Sequence, residues 1–304
     1  MNNRLLSMVV TLIVVLVVVA IGVYVIDPNL EFPMDQASVP LRFLFVGIGL
    51  LIAFGVYYAT RENPIWEVGT RQVVWMAIGA ALYAVFSFLF NGTVFVVPSV
   101  SQVALRPAIA IPMFFGYAFG PVVGFFTGAV GNMFGDAITG FGLSPQWSIG
   151  NGLIGFVSGL WMLFRDRKQS MNTVLLMSGV LAAIAVLLFF MNRDVVNALY
   201  FEDTQPVSLF AGLTIVIGFL LVLGVRYFFS SNEGIATAVT WGMLGNILGL
   251  LFASLSDIWI NGYTLPATIV GQFLPAAGPN LIFAAILVPL LVVAYSSVQR
   301  QTGR

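Results

Sequence analysis

Arg106, Asn132, Asp136, Gln146, Trp147 and Asn151 are the residues of this chain whose types and spacing suit capture of a small polar molecule. Arginine and aspartate supply opposite charges, the amides supply paired donors and acceptors, and the indole supplies a flat apolar face with one N–H. Each sits in apolar sequence, where an ionisable group defaults to a functional reading. A second set repeats the combination of ring and amide: Trp259, Asn261 and Gln272, with Asp257, Tyr263 and Asn280 beside them. Such groups suit a planar heterocycle that stacks on a ring and is read along its edge. Arg106 favours a ligand carrying a carboxylate or phosphate. Two plainer readings stand beside these: Asp136 ends its helix in a pair with Arg106, and Trp259 and Tyr263 are interfacial belt residues.

Other chemistries are excluded by composition. The chain has no cysteine and no histidine, which removes thiol nucleophiles, thiolate metal sites and the commonest general base. No catalytic residue, metal or cofactor is therefore expected, and the chain is not read as an enzyme. Twelve basic residues balance twelve acidic ones with no polybasic tract, which argues against a nucleic-acid partner. Nothing resembles a Walker A loop, so ATP hydrolysis is left to other chains.

The elements that must position these residues are membrane helices. Of the 304 residues 60% are hydrophobic and 8% charged, against about 25% charged in soluble domains, and the mean hydropathy is +1.01. Stretches of about 20 apolar residues cross a hydrocarbon core of about 30 Å. On that criterion ten spans are expected, near 5–26, 41–60, 72–91, 103–118, 120–140, 147–164, 173–191, 207–229, 235–256 and 267–297. The first is read as a retained helix rather than a signal peptide, with cleavage after Ala20 as the alternative. The fourth is interrupted by Pro107 and Pro112, and broken helices at membrane depth point to a nearby cavity.

Threading ten spans from an inside N-terminus puts nine of the twelve basic residues inside and only Arg42, Arg106 and Arg193 outside. The positive-inside rule thus places both termini in the cytoplasm of a multi-pass cell-membrane protein, in contact with the lipid bilayer. The span from Gly120 rises at about 1.5 Å per residue, so Asn132 lies roughly 18 Å and Asp136 roughly 24 Å up, while Asn151 lies about 6 Å below Trp147 on the next, descending span. Arg106, Asp136, Gln146, Trp147 and Asn151 converge in the outer leaflet, with Asp136 read as the one acidic residue within a span. Gly120, Gly124, Gly128, Gly131 and Gly135 form a stripe for close helix packing. A weak repeat sets GAVGNMFGD at 128–136 against GMLGNILGL at 242–250, a parallel duplication of the kind that builds central sites in transporters. Ala77, Ala80, Ala81 and Ala84 give small residues four apart on the third span, a surface for close helix contact.

Beyond these physical readings, residues 75–161 resemble the substrate-binding S components of energy-coupling factor (ECF) transporters, which import vitamins and related micronutrients. The stretches that carry the resemblance are AIGAALYAVFSFL at 77–89, LRPAIAIPMFFGYAFGPVVGFFTGAVGNMFGD at 105–136 and PQWSIGNGLIGFVSG at 145–159. The resemblance implies a six-helix S-component-like core, so the fold expected is all-α and polytopic, with about ten transmembrane helices by the count above and four of them additional to that core. It also implies docking on an ECF transmembrane coupling subunit through Ala77 and Ala81, or Ala80 and Ala84, with two ATPase subunits energising uptake. Substrate binding on the outer side is implied beneath the loop at 91–102. The organisation expected is two N-terminal helices (1–70), four core helices (71–168), two inserted helices (169–232) and two last core helices (233–304). The alternative is a multi-span sensory receptor for a small ligand, disfavoured because an output domain is expected and the sequence stops at Arg304.

Overall fold

The computed structural model describes residues 3–91, 96–97, 103–140, 142–196 and 206–302. One stretch that entered the sequence reading, most of the 91–102 loop, lies outside the described residues.

Long apolar runs become helices because lipid offers the backbone no hydrogen-bond partner, so each N–H must be satisfied within its own segment. The chain forms α1 (Asn3–Ile21), α2 (Val39–Ala59), α3 (Thr70–Asn91), α4 (Ala110–Phe119), α5 (Pro121–Thr139), α6 (Pro145–Gly159), α7 (Arg167–Met191), α8 (Leu209–Phe228), α9 (Glu233–Ile260), the single turn α10 (Leu265–Thr268) and α11 (Leu274–Gln301). Two π-helical turns, Gly22–Ile26 after α1 and Ile269–Phe273 before α11, widen the backbone at one end of the bundle. Val96–Val97 and Val103–Ala104 pair as a short antiparallel ladder after α3.

Among the described residues seven segments are long and apolar enough to cross a membrane: those built on α1, α2, α3, α7, α8, α9 and α11. The fold is the expected all-α polytopic one. The ten expected spans correspond to the ten helices longer than one turn, but α4, α5 and α6 fall short in length or apolar content. All three are buried along most of their length. Their polar and glycine residues meet protein instead of lipid, which is the condition under which such segments are tolerated at membrane depth.

Helix boundaries follow local chemistry. Gly120 takes φ +101° between α4 and α5, a conformation that L side chains rarely adopt, and Pro121 opens α5 at a position that needs no N–H donor. Asp166, Ser208, Asn232 and Thr264 accept backbone N–H bonds at the starts of α7, α8, α9 and α10. Pro112 lies in the first turn of α4, so it bends nothing. The break expected near it is instead a 3-10 turn at Pro107–Ile109.

The centre of the bundle is α6, gripped by α5 and α9. Gly124 and Gly155 approach so closely that a Cβ on either would strike the other's backbone, and Gly150 and Gly249 make the same contact between α6 and α9. Of the internal repeat, Gly128 meets α6 at Asn151, and Gly245 and Gly249 meet it at Ile154 and Gly150, whereas Gly131 and Gly135 face α3. The outer ring carries exposed Leu51, Leu176, Leu220 and Leu290, an apolar girdle larger than a soluble surface sustains.

Candidate functional site

The first two turns of α6 carry Gln146, Trp147, Ser148 and Asn151, and these divide between two hydrogen-bonded clusters. Ser148 and Asn151 face α5 and α3. Gln146 and Trp147 face α2 and α9.

In the first cluster Arg106, just ahead of the 3-10 turn, reaches across to α5. Its Nη2 donates to Asp136 Oδ1 at 3.0 Å and its Nη1 donates to Asn132 Oδ1. Asn132 Nδ2 donates to Asp136 Oδ2 at 2.7 Å and to Ser148 Oγ at 3.0 Å. The spacing of Asn132 and Asp136 by four residues puts both on one helix face, and the buried α6 supplies the third partner. Arg106 also lies against the Tyr83 phenol, whose hydroxyl donates to Asn151 Oδ1 at 2.7 Å. Asn151 Nδ2 in turn bonds its own helix at Trp147 O, 2.9 Å away. The side chains of Arg106 and Asp136 retain 19% and 13% of their exposure, so this is the edge of the layer that solvent reaches.

The second cluster is organised by Asp257. Gln146 Nε2 donates to Asp257 Oδ1 at 3.1 Å, and Trp147 Nε1 donates to Asp257 Oδ2 at 2.9 Å. Arg42 of α2 donates from Nη1 to Gln146 Oε1 at 3.1 Å and from Nε to Ser38 Oγ at 2.9 Å. Gln272, in the π-helical turn, lies against the Asp257 carboxylate. It is fully buried, and neither its Oε1 nor its Nε2 has a partner in hydrogen-bonding geometry. Its nearest polar neighbour is the Asp257 carboxylate.

The structure thus brings seven of the sequence-derived candidates into one layer: Arg106, Asn132, Asp136, Gln146, Trp147, Asn151 and Gln272. Two do not join it. Trp259 is 60% exposed with its ring tilted on Phe45 at 5.6 Å, and Asn261 is exposed at the end of α9, where only its backbone N–H is held, by Asp257 O. Tyr263 is half-buried in the turn beyond α9, and burial, with Asp257 second, raises its phenol above the usual value. Asn280 is buried on α11.

One expectation is corrected. Asp257 belongs to α9 and is buried, because that helix runs 28 residues to Ile260; Asp136 is therefore not the only acidic residue within a span. Arg106 pairs with Asp136, and the pair is part of the layer. Arg42, Tyr83 and Ser148 were not among the candidates. A signal for the burial of Asp257 was present: Gly245, Gly249, Ala253 and Asp257 recur every four residues, so the stripe that packs on α6 ends in a carboxylate.

On α3, Ala77 and Ala81 are exposed whereas Ala80 and Ala84 are covered. All four line an apolar groove of about 800 Å³ whose far wall is α1, through Leu6, Val10 and Val14.

A model of the ECF-type riboflavin transporter S component family matches residues 67–226, more than half of the chain. The chain belongs to this family. Its members are transporter components and not a class of enzymes, and the helices described above are those of a multi-pass membrane protein of that family. The matched span takes in α3 to α8, including the pair expected as an insertion, and stops before α9. Curated relatives include UPF0397 proteins of Vibrio atlanticus (strain LGP32), 38% identical over 100 residues, and of Aliivibrio salmonicida (strain LFI1238), 32% identical over 102 residues. These alignments cover 33% and 34% of this chain and 53% and 54% of the relatives, so the chain spans about half the length of the curated relatives it matches. No solved structure matches the chain significantly.

Proposed function

We propose that this protein is the substrate-binding subunit of an ECF-type importer, capturing a vitamin-like molecule at the extracytoplasmic face and delivering it inward. The observation that carries this reading is the buried polar layer around the start of α6: two arginines, two carboxylates, four amides and an indole, at one end of an otherwise apolar bundle. A packing core needs no such layer, and burying it is costly unless it serves binding. The family description makes riboflavin the first ligand to test.

Arg106, Asn132, Asp136, Gln146, Trp147, Asn151 and Gln272 are the residues we assign to the site; Trp259 and Asn261 are left out of it. The charge distribution supports an orientation with both termini in the cytoplasm, which turns this layer outward. Energy comes from a separate transmembrane coupling subunit and two ATPase subunits, and Ala77 and Ala81 are the docking pair, because they are the two of the four alanines that remain exposed. The six-helix core is α3 to α6 with α9 and α11. Supporting this for α9, it is buried along most of its length and meets α6 glycine to glycine at Gly249 and Gly150.

The test is mass spectrometry of small molecules that accompany the detergent-purified protein, with uptake measured in cells co-expressing coupling and ATPase subunits. A bound heterocycle and energy-dependent uptake are expected; recovery of neither overturns the reading.

A further inference from the structure

We infer that the connection between α1 and α2 is a strap across the start of α6, fastened by the buried Asp27 carboxylate, and that the strap must lift for solvent to reach the polar layer. Its role in substrate capture rests on the reading of that layer as a binding site; the strap itself does not. The family match begins at residue 67, so α1, α2 and the strap are additions to the matched unit.

Residues 27–38 include two 3-10 turns, Asp27–Asn29 and Gln36–Ser38. Asp27, Met34 and Ser38 are buried, whereas every residue between them except Leu30 is exposed. The buried residues are the anchors. Asp27 Oδ2 accepts the Met34 N–H at 2.9 Å, and its Oδ1 accepts the Leu143 N–H at 3.4 Å. One carboxylate thus closes its own loop and ties it to the connection between α5 and α6. Ser38 Oγ accepts from Arg42 Nε at 2.9 Å, and Arg42 continues to Gln146 Oε1 at 3.1 Å. Backbone meets backbone as well. Gly142 takes φ +89°, and a Cβ there would strike the Phe32 carbonyl oxygen, so glycine is what lets the strap lie flat on the α5–α6 connection.

The two feet of the strap are packed tightly. Gly22, at the π-helical turn after α1, lies against Met133 and Leu143, and Gly49 of α2 lies against Ile149 of α6. The middle is held differently. Among the described residues, the Asp27–Leu143 bond is the one hydrogen bond from residues 27–38 to the α5–α6 connection. A carboxylate on backbone N–H groups holds while it is dry, and water replaces those bonds once it is wet. That is the property a releasable fastening needs. A segment with few buried contacts between fixed ends opens locally, well below the free energy of global unfolding. Leu143 lies three residues before Gln146, so release of its N–H loosens the connection that leads directly into the layer.

The chain has no cysteine, so single thiols can report on access. Ser148→Cys reports on the layer and Ala238→Cys on the opposite end of the bundle, near the start of α9; both positions have zero exposure. The rate at which each thiol reacts with a maleimide is measured in the purified full-length protein. Three backgrounds are compared with the otherwise native one: Asp27→Ala, which removes the fastening; Asp27→Asn, which keeps one acceptor oxygen; and Gly142→Ala, which pushes Phe32 away from the other side. Asp27→Ala and Gly142→Ala should each speed labelling of Ser148→Cys by at least about tenfold and leave Ala238→Cys unchanged, as local opening requires. Asp27→Asn should fall between. An unchanged rate at Ser148→Cys overturns the inference, since the strap then covers nothing. Rates that rise together at both thiols also overturn it, since Asp27 and Gly142 then serve only global stability. The variants act from both sides of one contact, so failure of one to fold leaves the others to decide. The labelling uses no substrate and no partner chain, so its failure leaves the transporter reading in place, and failure of uptake leaves the strap in place.

Discussion

Trp147 and Asp257 stand 110 residues apart in the chain and are joined by a 2.9 Å hydrogen bond from the indole N–H to the carboxylate. That bond, with its neighbour from Gln146, ties the start of α6 to the last turn of α9. Asp257→Leu removes the acceptor for both buried donors. Each donor left unpaired costs about 1–3 kcal/mol, so a loss of about 2–5 kcal/mol is expected, read as a lower thermal midpoint in detergent. Trp147→Phe added to Asp257→Leu should recover part of the loss, because one stranded donor is then gone.

Gly124 and Gly155 are the tightest backbone approach between α5 and α6. Gly155→Ala should reduce the yield of folded protein and destabilise it by about 1–3 kcal/mol or more, the usual range for overpacking, since the obstacle is backbone that no rotamer can move. Gly47→Ala and Gly224→Ala, where a Cβ meets nothing within 4 Å, should match the native protein. Size-exclusion profiles of the three variants make the comparison.

Ala81→Leu adds bulk to an exposed position of α3 in the groove against α1. Ligand binding by the isolated protein should be unchanged, while co-purification with the coupling subunit and uptake should fall by about tenfold or more, as small-residue helix interfaces tolerate no added side chain. Loss of binding with intact co-purification would contradict the docking assignment.

The absence of cysteine makes the orientation easy to test. Glu31→Cys, exposed between α1 and α2, should react with an impermeant maleimide in intact cells, whereas Glu62→Cys, exposed between α2 and α3, should react only after permeabilisation. The reverse pattern would place the polar layer on the cytoplasmic side.

Composition and hydropathy by themselves determined that this chain is a helical membrane protein, because twenty apolar residues in water or in lipid leave few alternatives to a buried or spanning helix. The glycine spacing also marked α5 as a helix with a close-packed stripe, since residues four apart share a helix face whatever the rest of the fold does, and the pairing of Arg106 with Asp136 was one of the readings it allowed. The partners of Gln146 were decided only by tertiary structure. Arg42 and Gln146 are 104 residues apart and Gln146 and Asp257 are 111 apart, and no local rule brings such partners together. The helix pair α1–α2, without an evident role in the sequence, enters the site through Arg42, and Trp259 leaves it for Phe45, because helix packing sets the direction in which each side chain points. The sequence showed where charge lies along the chain; the packing of α2, α5 and α9 around α6 decided that this charge is already balanced.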